Sequence, residues 1–341
     1  MSCGSNPERM EVNMKNSKYL IVLVLLLAVI SYFVLQNKKT TSVESSLLIP
    51  ALQNKINDID AITLSQGQER LHLFKKDSTW RIQELDSYFA DTNKIADMLL
   101  SLRKFKLKQA KTSNPQNYIR LGLDEAGAVH VKLLASGEVL ADVFMGKNST
   151  KGQGTYVRKN ADKLSWLAEG RLQINMDKKY WMIKTIVDVD SSAVKSVSYK
   201  SSDKEAFKIA KESPQDESFA LENIPKNKQV KKAIMFKVLA NGLSKFTVDD
   251  VVKEIDLAES KLINTVTYEL FSGVVYHMNL YKYKDKNYVK FTVEQADSLP
   301  AIEKQVGQWI YLVPQFKIDA LNKNLSDIIE DIPKKAKEKA N

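Results

Sequence analysis

The sequence predicts an α+β protein in which a single N-terminal transmembrane helix precedes two tandem, duplicated β-rich α+β domains, each with the order β-β-β-helix-β-β-β. Two observations lead to this prediction. An unbroken apolar run, LIVLVLLLAVISYFVL, occupies Leu20–Leu35. The long polar remainder then contains two successive series of strand patterns, each interrupted by one amphipathic helix.

The apolar run has the length and the borders of a membrane anchor. A helix that spans the hydrocarbon core needs about 17–25 residues, so a segment over residues 19–35 is just long enough. Lysines at positions 15, 18, 38 and 39 can place their ammonium groups among the headgroups. The predicted anchor residues are Leu20, Leu25, Leu26, Leu27, Ile30, Phe33 and Leu35.

A cleaved signal peptide is the competing interpretation of the same run. Its apolar region is usually about 7–15 residues and is followed by small residues in an A-x-A pattern. Residues 32–39 read YFVLQNKK, without such a pair, so we expect an uncleaved anchor. The slight excess of basic residues before the run places the N-terminal stub, residues 1–18, in the cytoplasm. The expected location is the bacterial inner membrane, with the body in the periplasm, and Met10 and Met14 are alternative starts.

Composition narrows the possible partners of the body. The single cysteine, Cys3, precedes the anchor, so the body has neither a disulfide nor a reactive thiol. The net charge of +10 comes mainly from scattered lysines, which form either a solvated basic surface or a contact with anionic lipid headgroups. Nucleic acid is disfavoured, because no dense basic tract with interleaved exposed aromatic residues is present.

The first domain is expected over residues 56–185, after a linker and short helix over residues 36–55. Strand patterns at 59–64, 71–74 and 80–82 precede a helix capped by Asp91. Its apolar residues recur at helical spacing, and strands resume at 129–134, 139–145 and 156–158. The apolar residues of this helix are Ile95, Met98, Leu99, Leu102 and Phe105.

The second domain, expected over residues 186–322, repeats this order about 135 residues later, a period far longer than that of solenoid repeats. Its strand patterns lie at 194–199, 207–209, 219–221, 265–271, 274–283 and 288–293. Its helix ends near Gly242 and is expected to bury Ile234, Met235, Val238 and Leu239 on one face. Trp181 and Ile183 are expected to pack at the junction of the domains. The charged tail, residues 323–341, is predicted to be a polar helix.

No motif in the body predicts a reaction, a cofactor or a metal site. The segment Gly146–Gly152 lacks the G-x-x-x-x-G-K-[ST] order of a phosphate loop, and a strand pattern rather than a helix follows it, so a hairpin loop is expected. His72, His130 and His277 lie in separate strand patterns without ligand spacing. Paired carboxylates for glycoside cleavage stay possible, with Glu84, Asp86 and Asp91 as nearby candidates.

Several separate motifs carry a family resemblance from about Leu47 to Tyr199. They include Trp80-Arg81-Ile82 with Tyr88-Phe89-Ala90-Asp91, Ala110 to Pro115 with Tyr118-x-x-Leu121-Gly122-Leu123, and Tyr156-Val157-Arg158. The chain resembles the bacterial membrane-anchored proteins that share domain of unknown function 4340. The family has no established activity, and the resemblance implies an association with auxiliary components of ABC-type transport systems. Within these motifs, Lys111, Tyr156 and Arg158 are possible interaction residues or, alternatively, braces of turns and strands.

The expected function is therefore that of a non-enzymatic membrane-anchored accessory or scaffold protein of an ABC-type transport or cell-envelope complex. Its partners would be the lipid bilayer and an integral membrane protein such as an ABC-type permease. Two alternatives stay open. One is an envelope enzyme acting on a glycan or lipid, with carboxylates from both domains meeting in the interdomain cleft. The other is a binding module for an anionic envelope polymer.

Overall fold

Two antiparallel sheets, one of nine strands and one of eight, form most of the body in the computed structural model. The structure describes residues 46–150, 152–201 and 203–333. The described residues from Leu47 onward belong to one compact unit. The predicted anchor lies outside the described residues, and among those described no helix has the length and apolar character needed to cross a membrane.

The first sheet and its helices occupy residues 52–181. The strands are β1 (Ala61–Gln66), β2 (Glu69–Lys76), β3 (Thr79–Ile82), β4 (Tyr88–Phe89), β5 (Lys106–Ala110), β6 (Val129–Ala135), β7 (Glu138–Asn148), β8 (Thr155–Lys159) and β9 (Ser165–Glu169). The helices are α1 (Leu52–Lys55), α2 (Thr92–Arg103), α3 (Tyr118–Leu121) and α4 (Lys178–Trp181), with 3-10 turns at Ile56–Asp58, Gln83–Leu85 and Pro115–Asn117. The strands lie in the order β4-β3-β2-β1-β6-β7-β8-β9-β5.

The second sheet and its helices occupy residues 185–331. The strands are β10 (Thr185–Val187), β11 (Val194–Lys200), β12 (Phe207–Ala210), β13 (Ala220–Leu221), β14 (Lys228–Val230), β15 (Phe246–Thr247), β16 (Asp250–Val252), β17 (Lys261–Leu270), β18 (Val275–Tyr283), β19 (Lys286–Glu294), β20 (Ile310–Val313) and β21 (Ile329–Asp331). The helices are α5 (Ile234–Ala240), α6 (Ala301–Lys304), α7 (Gln315–Leu321) and α8 (Leu325–Ile328), with 3-10 turns at Asn241–Leu243, Ala296–Ser298 and Val306–Gln308. The strand order is β13-β12-β11-β17-β18-β19-β20-β16, and two small sheets pair β10 with β15 and β14 with β21.

The two large sheets share one strand order. Read from β3, the first runs β3-β2-β1-β6-β7-β8-β9-β5, and each strand has a counterpart at the same place in the second, from β13 to β16. Helices α2 and α5 also occupy matching places in chain order. The sequence predicts six consecutive strands of each sheet, from β3 to β8 and from β13 to β19, but it does not predict β9 and β5 in the first sheet, β20 and β16 in the second, or the edge strand β4.

Helix α2 has the cap and the buried face that its sequence predicts. The Asp91 side chain accepts hydrogen bonds from the backbone N–H groups of Asn93 and Lys94, at 3.0 and 3.4 Å. Such a cap satisfies donors that the first helical turn leaves unpaired. The residues that α2 buries are Ile95, Met98, Leu99 and Leu102, and Phe105 is buried just beyond its end.

Helix α5 departs from the predicted face. Ile234 and Val238 are 66% and 60% exposed, whereas Phe236, Leu239 and Ala240 are buried. The large ring of Phe236 has more apolar area to bury than either aliphatic side chain, and its spacing to Leu239 and Ala240 defines a different face of the helix. The predicted face was therefore wrong at two of its four positions.

The predicted helix of the tail is also only partly correct. It covers Leu325–Ile328, where Asn324 and Asp327 form a capping box, and it then gives way to β21. Leu325, Ile328 and Ile329 are buried, and β21 pairs with β14. The apolar residues of the tail between 323 and 333 thus belong to the core of the body, which explains why this part is not a solvated helix. Residues 334–341 of the predicted tail lie outside the described residues.

Candidate functional site

An aromatic cluster joins the two sheets. The Tyr88 and Trp309 rings pack edge to face with centroids 5.2 Å apart, and Phe89 lies 5.8 Å from the same indole. Tyr311 on β20 completes the cluster next to Tyr88. All four side chains are buried, so apolar burial holds the halves together.

The connecting segment between the sheets packs against this cluster as the sequence predicts. Trp181 is buried, and its carbonyl accepts a hydrogen bond of 2.7 Å from the backbone N–H of Asp91. The Ile183 carbonyl accepts a hydrogen bond of 3.0 Å from the Tyr88 hydroxyl. Ile183 is partly buried against the core. The segment is thus fixed to the first sheet on its way to the second.

Arg81 extends from strand β3 into this junction. Its guanidinium carbon lies 3.6 Å from the centroid of the Phe89 ring. One terminal nitrogen donates to the Ser87 carbonyl at 3.3 Å, and the other donates to Oε1 of Gln305 at 3.1 Å. The second contact joins residues 224 positions apart in the chain. Strand alternation explains the direction of this side chain, since Trp80 and Ile82 occupy the opposite face.

A pocket of about 430 Å³ lies beside Arg81, between residues of the two sheets. The first half contributes Lys76, Asp77, Arg81, Asp86 and Ser87, and the second half contributes Lys253, Gln305, Gln308 and Trp309. Both lining carboxylates therefore come from the first half. The envelope-enzyme hypothesis required carboxylates from both halves, and the residues that line this pocket do not provide them.

Two polar groups at the pocket are buried and incompletely paired. Within the described part of the chain, Nε of Arg81 and the indole Nε1 of Trp309 have no hydrogen-bond partner. Arg81 is only 4% exposed, and Trp309 is 2% exposed. Burial lowers the pKa of the Arg81 guanidinium, and the nearby Asp77 carboxylate partly opposes this effect. A buried cation in this state gains free energy from any anion that reaches it.

The three residues singled out from the sequence lie on β8 and at the end of β5. Arg158 donates through Nη1 to the carbonyls of Lys159, Asn160 and Asp162, and its guanidinium lies 4.3 Å from the Phe144 ring. The structure thus places Arg158 as a brace of the turn after β8. Lys111 donates to the Gln109 side chain at 2.7 Å and lies 5.9 Å from the Tyr156 ring.

Each histidine pairs with a carboxylate on a neighbouring strand or turn. His72 Nδ1 lies 2.6 Å from Glu84, His277 Nε2 lies 3.0 Å from Glu294, and His130 pairs with Asp142 while stacking on Phe144. The pairs are separate, and no group of three or more metal-ligating residues occurs in the described ranges.

The carboxylate candidates and the phosphate-loop segment have separate positions. Glu84 accepts from the backbone N–H of His72, Asp91 caps α2, and Asp86 lines the junction pocket in a left-handed conformation. These three carboxylates, although close in sequence, thus lie in three separate environments. The Gly146 segment begins on β7 and leads into the loop of a hairpin, since Asn148 on β7 pairs with Thr155 on β8, as predicted.

A second candidate surface lies at helix α5. Its five residues, Lys231, Lys232, Ile234, Lys237 and Val238, are all exposed, and we refer to them as the basic apolar surface. Residues 223–248 contain six lysines and no carboxylate. Lys231 donates to the Ser326 carbonyl at 2.7 Å, and the nearest strand pair, β14–β21, carries an ion pair between Lys228 and Asp331.

Comparison with known families decides the classification. A family model, described as domain of unknown function (DUF4340), matches residues 80–264, which is more than half of the chain. The chain belongs to the DUF4340 family. The match begins at Trp80 on β3 and continues past Tyr199 into β17, so this DUF4340 region extends further into the second half than the resemblance predicts. Neither the curated proteins nor the solved structures contain a match to the chain.

Arg81 is the residue that sequence reasoning missed. The sequence places it in a strand pattern and in a family motif, but only its position between Trp80 and Ile82 hints that a charge enters the interior. Gln305, which accepts one of its hydrogen bonds, and Trp309, which lines the same pocket, are too distant in the chain for spacing to indicate them.

Proposed function

We propose that this DUF4340 protein is a non-enzymatic, membrane-anchored accessory or scaffold protein of an ABC-type transport or cell-envelope complex. The anchor is the apolar run Leu20–Leu35, and the body lies on the periplasmic side of the bacterial inner membrane. The observation that carries the proposal is the basic apolar surface, because it combines the two properties that contact with an anionic bilayer requires.

The chemistry of this surface matches a lipid boundary. Near an anionic bilayer, each lysine contributes about 1 kcal/mol of electrostatic attraction to the membrane. Exposed aliphatic side chains also lower the free energy of binding when they move below the headgroups. Ile234 and Val238 lie one helical turn apart on α5, with Lys237 between them in sequence. A solvated helix face normally carries polar residues at such positions. We therefore assign the basic apolar surface to the headgroup layer rather than to open solvent.

The same proposal includes a duplication. The shared strand order and the matching places of α2 and α5 support an origin of the body from two copies of one unit. We place the two copies at residues 56–185 and 186–322. In such an arrangement one copy can contact the membrane while the other contacts an integral membrane partner. Helix α5 exposes two large aliphatic side chains, Ile234 and Val238, whereas α2 exposes one, Leu100. This difference supports the division.

Recovery of the native complex tests the role in transport. The full chain, tagged at its C-terminus, is extracted gently from membranes and its associated proteins are identified. We expect an ABC-type permease or ATPase, and we expect it to be lost when residues 20–35 are replaced by a cleavable signal. Recovery of the chain alone, under conditions that preserve known complexes, would reject the accessory role.

Labelling of cysteine tests the topology separately. Cys3 is the single cysteine of the chain, so a membrane-impermeant maleimide reports its side of the membrane directly. We expect no labelling of Cys3 in intact spheroplasts, and full labelling of a variant carrying Cys3→Ser and Ser272→Cys, since Ser272 is exposed in the turn after β17. The reverse pattern would place the body in the cytoplasm.

A probe at Val238 tests the lipid contact. The full chain carrying Cys3→Ser and Val238→Cys is labelled with an environment-sensitive dye and reconstituted in nanodiscs. We expect a blue shift in discs with anionic lipid and none in neutral discs or at high salt. The same dye on Ser272→Cys is the matched control. An equal blue shift at both positions, or a blue shift that does not depend on lipid charge, would contradict the assignment of this surface to the headgroup layer. A blue shift with a soluble anionic polymer but not with lipid would favour the polymer-binding alternative.

A further inference from the structure

We propose that the pocket beside Arg81 is a binding site for a small oxyanion, a phosphate or a carboxylate group, with the Arg81 guanidinium as its main contact. The inference is independent of membrane attachment, because it depends only on groups within the body. It assigns a ligand class to the junction between the two sheets.

The charge of Arg81 is unbalanced among the described residues. Arg81 is only 4% exposed, yet its guanidinium forms no ion pair with any described carboxylate. Its two hydrogen bonds go to a neutral carbonyl and a neutral amide. Buried arginine normally pairs with a carboxylate or phosphate, because desolvation of the cation costs several kcal/mol. An anion in the adjoining pocket would offset that cost.

The Arg81 guanidinium also has N–H donors left for a ligand. A guanidinium carries five N–H groups in a planar fork, and Arg81 uses two of them toward protein. The amide of Gln305 accepts one of these bonds and thereby fixes the orientation of the fork. The stacking of the guanidinium on Phe89 restricts it further. A planar donor held in this way is suited to a two-oxygen acceptor.

The pocket wall adds further charged side chains. Lys76 and Lys253 add two exposed cations, one from each half, and Lys253 lies 4.7 Å from the Trp309 ring. Asp77 and Asp86 reduce the local charge, so the lining carries three cations and two carboxylates. The volume of about 430 Å³ admits a small molecule rather than a single ion. This balance favours a ligand with one oxyanion group and a polar remainder over a polyanion.

The contributions from both halves give the site a further property. Gln305 and Lys253 belong to the second sheet region, and Arg81 belongs to the first. A ligand that bridges them would contact both halves at once. We therefore expect binding to raise the thermal unfolding midpoint of the whole body, since a ligand of the native state stabilises every element that unfolds with it.

The test measures binding of inorganic phosphate, glycerol 1-phosphate and lactate to the full chain in detergent, at constant ionic strength. Isothermal titration and the unfolding midpoint are the readouts. We expect saturable binding of at least one probe, and about tenfold or greater loss of affinity in Arg81→Gln, the effect of one lost charged hydrogen bond. Tighter binding of glycerol 1-phosphate than of inorganic phosphate would indicate a lipid headgroup as the source, and the reverse would indicate free phosphate.

Additional variants keep the test decisive if Arg81→Gln folds poorly. Lys76→Gln and Lys253→Gln alter exposed side chains, so they should fold and bind several-fold more weakly. Lys108→Gln removes a cation paired with Glu169 away from the pocket and should leave affinity unchanged. Arg81→Lys keeps the charge but loses the fork, and we expect it to bind more weakly than the wild type.

A local optical signal provides the last control. Trp309 lines the pocket, so ligand should change tryptophan emission in the wild type and not in Trp309→Phe. The inference is overturned if none of the three probes binds at millimolar concentration. It is also overturned if Lys76→Gln, Lys253→Gln and Lys108→Gln change the affinity equally. Arg81 would then have only a structural role, in which it connects the two sheets through its hydrogen bond to Gln305.

Discussion

Helices α2 and α5 occupy matching places in the two halves, and they use their apolar residues differently. Helix α2 has twelve residues, a carboxylate cap and four buried apolar side chains. Helix α5 has seven residues, no side-chain cap at Ala233, and two exposed aliphatic residues. Matching topology has therefore not preserved matching surfaces. The difference shows that one helix serves the core of its half, while the other also presents a surface.

The largest expected effect lies in the core of α2. Leu102 is fully buried, so Leu102→Ala should lower the free energy of unfolding by about 2–5 kcal/mol through lost burial and the cavity left behind. Denaturation of the full chain in detergent measures it. Leu100→Ala on the same helix is the control, because Leu100 is 43% exposed and should change stability by less than about 0.5 kcal/mol. Similar losses at both positions would contradict the assigned buried face.

The next effect concerns the end of α5. A Cβ at Gly242 would lie 1.9 Å from the Tyr268 hydroxyl, which donates to the Leu239 carbonyl at 2.9 Å. Tyr268 is fully buried and cannot move aside. Gly242→Ala should therefore destabilise the body by about 1–3 kcal/mol through overpacking.

A rescue experiment checks the cause. The variant Tyr268→Phe removes the clashing oxygen, so the loss caused by Gly242→Ala should be smaller in that background than in the wild type. Equal losses in the two backgrounds would show that the clash with the hydroxyl is not the reason.

A smaller effect is expected at the helix caps. Asp91→Ala should cost about 1 kcal/mol, because it removes the acceptor for two N–H groups of α2. Ala233→Asp at α5 should gain at most a few tenths of a kcal/mol, since residue 233 has helical rather than extended backbone angles and a side chain there is poorly placed for capping. Thermal unfolding of both variants measures the contrast. A large gain at residue 233 would mean that α5 is limited by its cap.

The smallest expected effect is a dependence of stability on pH that comes from one residue of the second half, Glu303. Burial raises the pKa of Glu303, whose carboxylate accepts a hydrogen bond from Tyr276. The folded state therefore holds the proton more tightly than the unfolded state. Its contribution to stability is complete below the ordinary pKa of glutamate and is lost as pH rises through the raised value.

The variant Glu303→Gln should remove this dependence while keeping an acceptor for Tyr276. We expect the difference in unfolding midpoint between mildly acidic and neutral pH to become smaller in the variant. An unchanged pH profile would show that Glu303 does not titrate in this range.

The sequence predicts the body well where one face of an element is buried. Strands β1, β2, β6 and β7 alternate apolar and polar residues, and α2 has a cap and a clean apolar stripe, so local pattern and tertiary burial agree. At α5 the apolar residues surround most of the helix, and pattern alone could not decide which of them face the core.

The candidate site was harder to predict for a different reason. Arg81 was visible as part of a strand, but its partner Gln305 lies more than two hundred residues away, and no periodicity links the two. The extra strand β4 was missed because it is two residues long. Those two residues, Tyr88 and Phe89, carry the aromatic contact with Trp309. Long-range packing of this kind follows from topology rather than from local sequence.

Strand β4 also bears on how the protein could evolve and be dissected. It has no counterpart in the second large sheet, and its two aromatic side chains are covered by residues from the other half. A chain shortened to either half would expose that aromatic surface to water and invite aggregation. Under the proposed duplication, this contact would have made the two halves mutually dependent, so that neither could be deleted, exchanged or expressed alone without loss of the other.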